Sequence, residues 1–226
     1  MSWFNKIFFG LAVGVAVGCG VVSSSSKSVD VSEMAPAATP GVKGAKSMQT
    51  AVFAGGCFWG VEAVFEHMKG VSDVRSGYTG GDAKTANYDD VSGGSSQHAE
   101  AVIVNYDPAT VTYVQLLTIF FSVAHNPTEL NRQGPDIGTQ YRSAIFYSDE
   151  EQKKLSNEYI DAINKSKALA KPVVTQVVPL EKFYDAEAYH QDYLIRNPTA
   201  PYIVIHDKPK LEDLKKRFPD LYVSRK

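Results

Sequence analysis

Ala51-Val52-Phe53-Ala54-Gly55-Gly56-Cys57-Phe58-Trp59-Gly60-Val61-Glu62-Ala63-Val64-Phe65-Glu66-His67-Met68 changes its hydrophobic period halfway along. The four residues before Gly55 form a short apolar run, the pattern of a buried strand ended by glycines. From Cys57 onward, Val61, Val64, Phe65 and Met68 fall at helical spacing, which predicts a helix that begins near Cys57 and stops at Gly70. Two glycines between strand and helix let the backbone turn sharply and leave room above the strand end. The first residues of a helix present unpaired N–H groups and a partial positive charge, so a thiol there is expected to have a lowered pKa and to be partly thiolate. The alternative for Cys57 is an inert core cysteine. For Phe58 and Trp59 it is a place among the core aromatics.

Working outward, the two periods continue to alternate. Strands are predicted over 71–76, 98–106, 140–147 and 173–178, and helices over 111–124 and 186–195. Ser148 with Glu151 reads as a capping box that opens a further helix running to about Ala168. The polar, glycine-rich stretch 77–97 and the segment 126–138 read as long loops, which inside a compact domain tend to be functional. Elements in this order suggest an α+β domain, a two-layer sandwich of helices on a mixed β-sheet. Nothing in the pattern orders the strands.

The domain is expected over 49–226. Ahead of it, Lys6 precedes an apolar run from Ile7 to Val22, a secretory signal pattern too short for an ordinary membrane span. Ala16-Val17-Gly18-Cys19 resembles the lipobox of bacterial lipoproteins, although Ala16 stands where leucine is usual. This implies a signal peptide over 1–18, a lipidated Cys19 and an exported, membrane-anchored protein of the cell envelope or periplasm. An uncleaved anchor or a plain signal peptide are the alternatives. The serine-, proline- and glycine-bearing stretch that follows, through residue 48, has almost no large apolar side chain and reads as a flexible tether.

Composition narrows the rest. In 226 residues, 44% hydrophobic and 21% charged side chains exclude wholesale disorder and a polytopic membrane protein. A domain of this size folds without disulfide or metal support. Lys+Arg 23 against Asp+Glu 25 offers no basic excess to attract nucleic acid. Two cysteines, Cys19 and Cys57, cannot build a disulfide framework or a four-thiolate zinc site, and no Cys/His cluster has metal-ligand spacing, so no metal is expected.

Gly55-Gly56-Cys57-Phe58-Trp59-Gly60 resembles the signature of A-type peptide methionine sulfoxide reductases. So, in the expected order, do Tyr88, His98-Ala99-Glu100, His125-Asn126-Pro127-Thr128, the run from Asn131 to Ser143, and Tyr189-His190-Gln191. The resemblance covers residues 49–210. It implies a ferredoxin-like roll and reduction of the S epimer of methionine sulfoxide, free or in oxidised proteins and peptides. Such a reaction needs a nucleophile for sulfur and a proton donor for the departing oxygen. The resemblance makes Cys57 the nucleophile. Glu100 would be the acid, since it shares a strand face with Val102 and Val104, and an apolar setting raises a carboxyl pKa. Tyr88 and Tyr141 would donate hydrogen bonds to the sulfoxide oxygen, Asp136 would help orient the site, and Phe58 and Trp59 would wall the pocket for the S-methyl group. Read alone, Glu100 is a strand-end carboxylate in solvent, and the tyrosines are half-buried aromatics with satisfied hydroxyls.

The first step would leave a Cys57 sulfenic acid. Many relatives resolve it with further cysteines near the C-terminus, but the tail from Arg217 to Lys226 has no thiol. The expectation is a single-cysteine monomer with no bound cofactor, reduced by an external thiol, either a thioredoxin-like protein or a small molecule. Two positions depart from the family pattern: Asn126 stands where aspartate is common, and Gln97 where glycine is usual. Altered loop packing is expected there. Two rival functions stay open on the residues alone. One is a Cys–His hydrolase using His98, His125 or His190, and the other is a lipid-anchored binding module lined by the aromatics.

Overall fold

A computed structural model describes residues 47–225. The signal segment, Cys19 and the tether as far as residue 46 lie outside the described residues. β1 (Gln49–Gly55) is followed by α1 (Phe58–Glu66) and β2 (Val71–Thr79). Next come α2 (Tyr88–Ser92), β3 (Ala99–Tyr106) and α3 (Tyr113–Ile119), the last continuing as a π turn over Phe120–Ala124. A small hairpin, β4 (Arg132–Gln133) with β5 (Asp136–Ile137), precedes β6 (Ser143–Tyr147) and α4 (Glu150–Ser166). The chain closes with β7 (Gln176–Pro179), β8 (Phe183–Asp185), α5 (Tyr193–Arg196), a π turn over Ile203–Asp207 and α6 (Lys208–Arg217).

Six strands form one mixed sheet in the order β7-β6-β1-β3-β2-β8, with β6 and β7 parallel and the other neighbours antiparallel. The side-chain period of two sends alternate residues to opposite faces. Ala51, Phe53, Val102, Val104 and Tyr106 face the main core, where they meet Val61, Val64 and Phe65 of α1 and Leu116, Leu117 and Phe120 of the third helix. Val52, Ala54, Ala99, Ala101, Ala144 and Phe146 pack on the other face under Val178, Leu180 and Phe183. The expected α+β arrangement of helices on a mixed sheet is what the chain forms.

Several boundaries differ from the expectation, each for a local reason. The stretch 77–97 is not one loop, because β2 runs on to Thr79 and Val91 is wholly buried, drawing a helical turn into the core. The cap of α4 is Asp149, whose carboxylate accepts from Gln152 N, rather than Ser148 with Glu151. Helix 186–195 shrinks to α5 because Gln191 is occupied in binding the edge of β2 and Asp192 takes a left-handed φ of 52°. The strand expected at 173–178 starts only at Gln176, and neither β8 nor the C-terminal helix was expected at all.

Candidate active site

The site lies at one end of the sheet. There the end of β1 pairs with the start of β6 (Gly55 beside Ser143), and the end of β2 pairs with the start of β3 (Tyr78 beside Glu100). Gly56 makes the turn from β1 into α1 at φ 94°, and a Cβ there would fall 2.6 Å from Cβ of Gln133. Both the dihedral and the space demand glycine. Gln133 is held in turn by two bonds with the backbone of Asn126, at 2.9 and 2.8 Å. The loop carrying Asp136 is thereby seated against the Gly-Gly turn.

Cys57 occupies the N-cap of α1 and keeps part of its surface open. Glu100 reaches it from β3: its side chain is buried, on the face of Val102 and Val104 as expected, and accepts from the backbone N–H of Phe58 at 3.1 Å. Burial pushes the Glu100 carboxyl up to about 8, against the pull of that N–H, so it carries a proton at neutral pH.

The thiol corrects one expectation. Burial, then the charges of Glu100 and Asp207, hold Cys57 well above its ordinary range, outweighing the N–H of Trp59 and the ammonium of Lys210. The helix N-terminus alone does not ionise the sulfur, because the same turn is enclosed by the sheet and by carboxyl groups. A proton on Glu100 removes one of those opposing charges, so the two groups are linked: a neutral acid makes the thiolate more accessible.

Phe58 is fully buried against Tyr78 and His190, with ring centroids 5.8 and 5.0 Å apart. Trp59 is half-buried and stacked flat on Tyr193, with centroids 3.7 Å apart. Its indole N–H donates to Nδ1 of His190 at 3.1 Å. Tyr88 leans on His190, and its backbone N–H is fixed by Glu187, whose other oxygen accepts from the Tyr78 hydroxyl. Tyr141 stands on a 3-10 turn before β6. Tyr88 and Tyr141 are both half-buried and both feel the charges of Glu100 and Cys57. Burial first, then those charges, raise their hydroxyl pKa values, so both phenols stay protonated donors. Asp136 accepts from the hydroxyl of Tyr202, which meets Trp59 edge-on.

The structure therefore brings Cys57, Glu100, Tyr88, Tyr141, Asp136, Phe58 and Trp59 together at this end of the sheet. Sequence reasoning missed Glu187, Tyr202, Asp207 and Lys210. The last three arrive on the C-terminal segment, whose polar composition hides the apolar period; the fully buried Ile203 and Leu214, with Leu211 packed against the core, were the available signal. Histidines are committed elsewhere. His98 bonds the carbonyl of Asp82, and His190 bonds Trp59. His125 donates from Nδ1 to the carbonyl of Phe120 and so accepts at Nε2 from Ser143, which in turn bonds Thr175. Among the described residues no imidazole hydrogen-bonds the thiol, as a Cys–His hydrolase would require.

Comparison with known proteins gives the family. The family model "Peptide methionine sulfoxide reductase" matches residues 49–221. The chain belongs to the peptide methionine sulfoxide reductase family. Peptide methionine sulfoxide reductase MsrA 2 of Mesorhizobium japonicum is 56% identical over 183 residues, 81% of this chain and 94% of that protein. The MsrA 2 of Synechocystis is 48% identical over 212 residues, covering 93% and 97%. Among solved structures, reduced Mxr1 of Saccharomyces cerevisiae superimposes with a TM-score of 0.62 at 33% identity, covering 68% of this chain and 87% of that one. Methionine sulfoxide reductase A of Corynebacterium diphtheriae gives 0.60 at 32% identity, covering 70% and 78%. As a reductase of this A type the protein is an oxidoreductase, and its α+β fold is that of its relatives.

The two departures from the family pattern have simple local structures. Asn126 uses its side-chain oxygen to accept from the backbone and hydroxyl of Thr128, a role an aspartate oxygen also fills. Gln97 sits at φ 61°, the left-handed region that glycine enters freely.

Proposed function

We propose that the protein reduces the S epimer of methionine sulfoxide through a sulfenic acid on Cys57. The observation that carries this reading is a buried carboxyl, Glu100, neutral at pH 7 and bonded to the first N–H after the nucleophile. The sulfoxide oxygen sits under the hydroxyls of Tyr88 and Tyr141 and takes a proton from Glu100, while Cys57 Sγ attacks the sulfur. The new Sγ–S bond forms as the S–O bond breaks and the protonated oxygen leaves as water; a water then attacks Sγ, breaks the Sγ–S bond and releases methionine, so Cys57 ends as S–OH, oxidised by the two electrons that the sulfoxide gains. Trp59, pinned by Tyr193 and His190, and Phe58 beside it form the apolar wall for the S-methyl group. Tyr202 and Asp136 hold the rim of that wall.

Two external thiols return Cys57–SOH to Cys57–SH, giving one disulfide and one water. A thioredoxin-like protein or a small thiol supplies them, because Cys57 is the only cysteine among the described residues. The segment over 1–48 exports the enzyme and anchors it by lipid, and the enzyme repairs oxidised proteins of the cell envelope as a monomer. The lipobox-like Cys19 and the tether composition support that placement.

Mass spectrometry of a racemic methionine sulfoxide peptide, incubated with protein and dithiothreitol, tests the reaction. Loss of one oxygen from half of the peptide is expected, along with a dimedone adduct on Cys57 when the thiol is withheld. Unchanged peptide, or a Cys57→Ser variant with full turnover, would refute it. Mass spectrometry of the mature N-terminus reads the anchor: a diacylglyceryl Cys19 is expected, and an unmodified Met1 would refute it.

A further inference from the structure

Gly60 lies three residues after Cys57, and positions i and i+3 share one side of a helix, so whatever packs on Gly60 stands beside the sulfur. What packs there is charged. A Cβ on Gly60 would collide with Oδ1 of Asp207 and come within 2.7 Å of Nζ of Lys210. The two side chains form an ion pair at 3.2 Å, with the Asp207 side chain wholly buried and that of Lys210 a quarter exposed. Oδ2 of Asp207 is buried with no hydrogen-bond partner among the described residues. A π turn, a form frequent at functional sites, brings Asp207 to the start of α6. Burying such a pair costs more desolvation than it returns in stability, and an orphaned buried oxygen requires a reason.

We infer that Lys210 and Asp207 set the ionisation of Cys57, with Lys210 the positioning cation that the thiolate faces and Asp207 the anion that tempers it. The inference rests on Cys57 being the nucleophile. The other groups facing the sulfur are Glu100 from β3 and the phenols of Tyr88, Tyr141 and Tyr202, all of which are protonated at neutral pH. Among the described residues Lys210 is thus the cation acting on the thiol, and Asp207 the anion that remains once Glu100 holds its proton. The ammonium also acts on His125, which places it on the inner side of the site, towards Gly55.

Iodoacetamide alkylation of the full chain, followed at the Cys57 peptide by mass spectrometry across pH, reads the thiolate without any sulfoxide present. Failure of sulfoxide reduction and failure of this inference are therefore separate results. Lys210→Met is expected to raise the midpoint by about one unit and slow alkylation at pH 7.5 about tenfold, whereas Lys210→Arg keeps the parent profile. Asp207→Asn, which retains an oxygen for Lys210 but no charge, is expected to lower the midpoint. Profiles of Lys210→Met and Lys210→Arg that superimpose would overturn the inference, as would Lys210→Met and Asp207→Asn shifting in the same direction. If Asp207→Asn does not fold by circular dichroism, the two lysine variants decide.

Discussion

Replacing Glu100 by glutamine should make the protein more stable and almost inactive. The carboxyl is 2% exposed and rises from its ordinary 4.5 to about 8 in the fold. At pH 7 an acid of that strength is about nine-tenths protonated, and at pH 9 about one-tenth. The unfolded chain ionises the same group near 4.5, so the unfolded state releases its proton first. Stability therefore falls as pH climbs from about 4.5 to about 8 and is level beyond. At pH 7 the gap of about 2.5 units corresponds to roughly 3 kcal/mol opposing the fold. Glutamine keeps the acceptor for Phe58 N–H and has nothing to ionise, so it removes up to that amount. Urea unfolding at pH 5 and pH 7 should show the variant gaining roughly 2 kcal/mol on the parent between the two conditions. Single-turnover reduction of a sulfoxide peptide should meanwhile fall by about 10²–10⁴. The parent's rate should decline above pH 8 as the acid ionises. Equal pH dependence of stability in the two proteins, or a variant that still turns over, would refute the role of a buried neutral acid.

Tyr88→Phe and Tyr141→Phe should each slow the sulfoxide step by about 10²-fold, as removal of one oxyanion donor does, while leaving the rate of Cys57 alkylation within about twofold. Gly56→Ala meets both a φ of 94° and the Cβ of Gln133, so it should destabilise the fold by about 2 kcal/mol or more in urea unfolding. Gln97→Gly should act in the opposite direction, raising stability by about 0.5–1 kcal/mol, because the exposed side chain is held at φ 61° while its carbonyl remains free to accept from Arg142.

The turn from Ala51 to Met68 was legible because both periods are strong there and the residues on each side of Gly55-Gly56 are buried for the reasons their spacing gives. Glu100 was legible for a similar reason, since its strand alternates cleanly and puts it on the face of Val102. The sulfur's ionisation was not legible. It depends on how completely β3, the tyrosine loops and the C-terminal segment enclose the helix start, and enclosure is a tertiary property. Tyr202, Asp207 and Lys210 were missed because the helix that carries Lys210, with Asp207 at its cap, buries only Leu214 fully, so no apolar stripe announces it. Strand β8 is three residues long and is held at the sheet edge by pairing with Gly77–Thr79, too short for any pattern to show.

The attachment of the last thirty or so residues to the first helix has a consequence for the order of assembly. The reacting sulfur is among the first residues of the domain to be made, and the side chains that complete its surroundings are among the last. A chain interrupted before Tyr202 could pair β1, β3 and β2 and still present a bare cysteine, open to alkylating agents and to oxidants. Docking of the final helix is then the moment at which a general thiol becomes a selective one, and backbone amide exchange along 203–217 is the natural gauge of whether a given molecule has reached it.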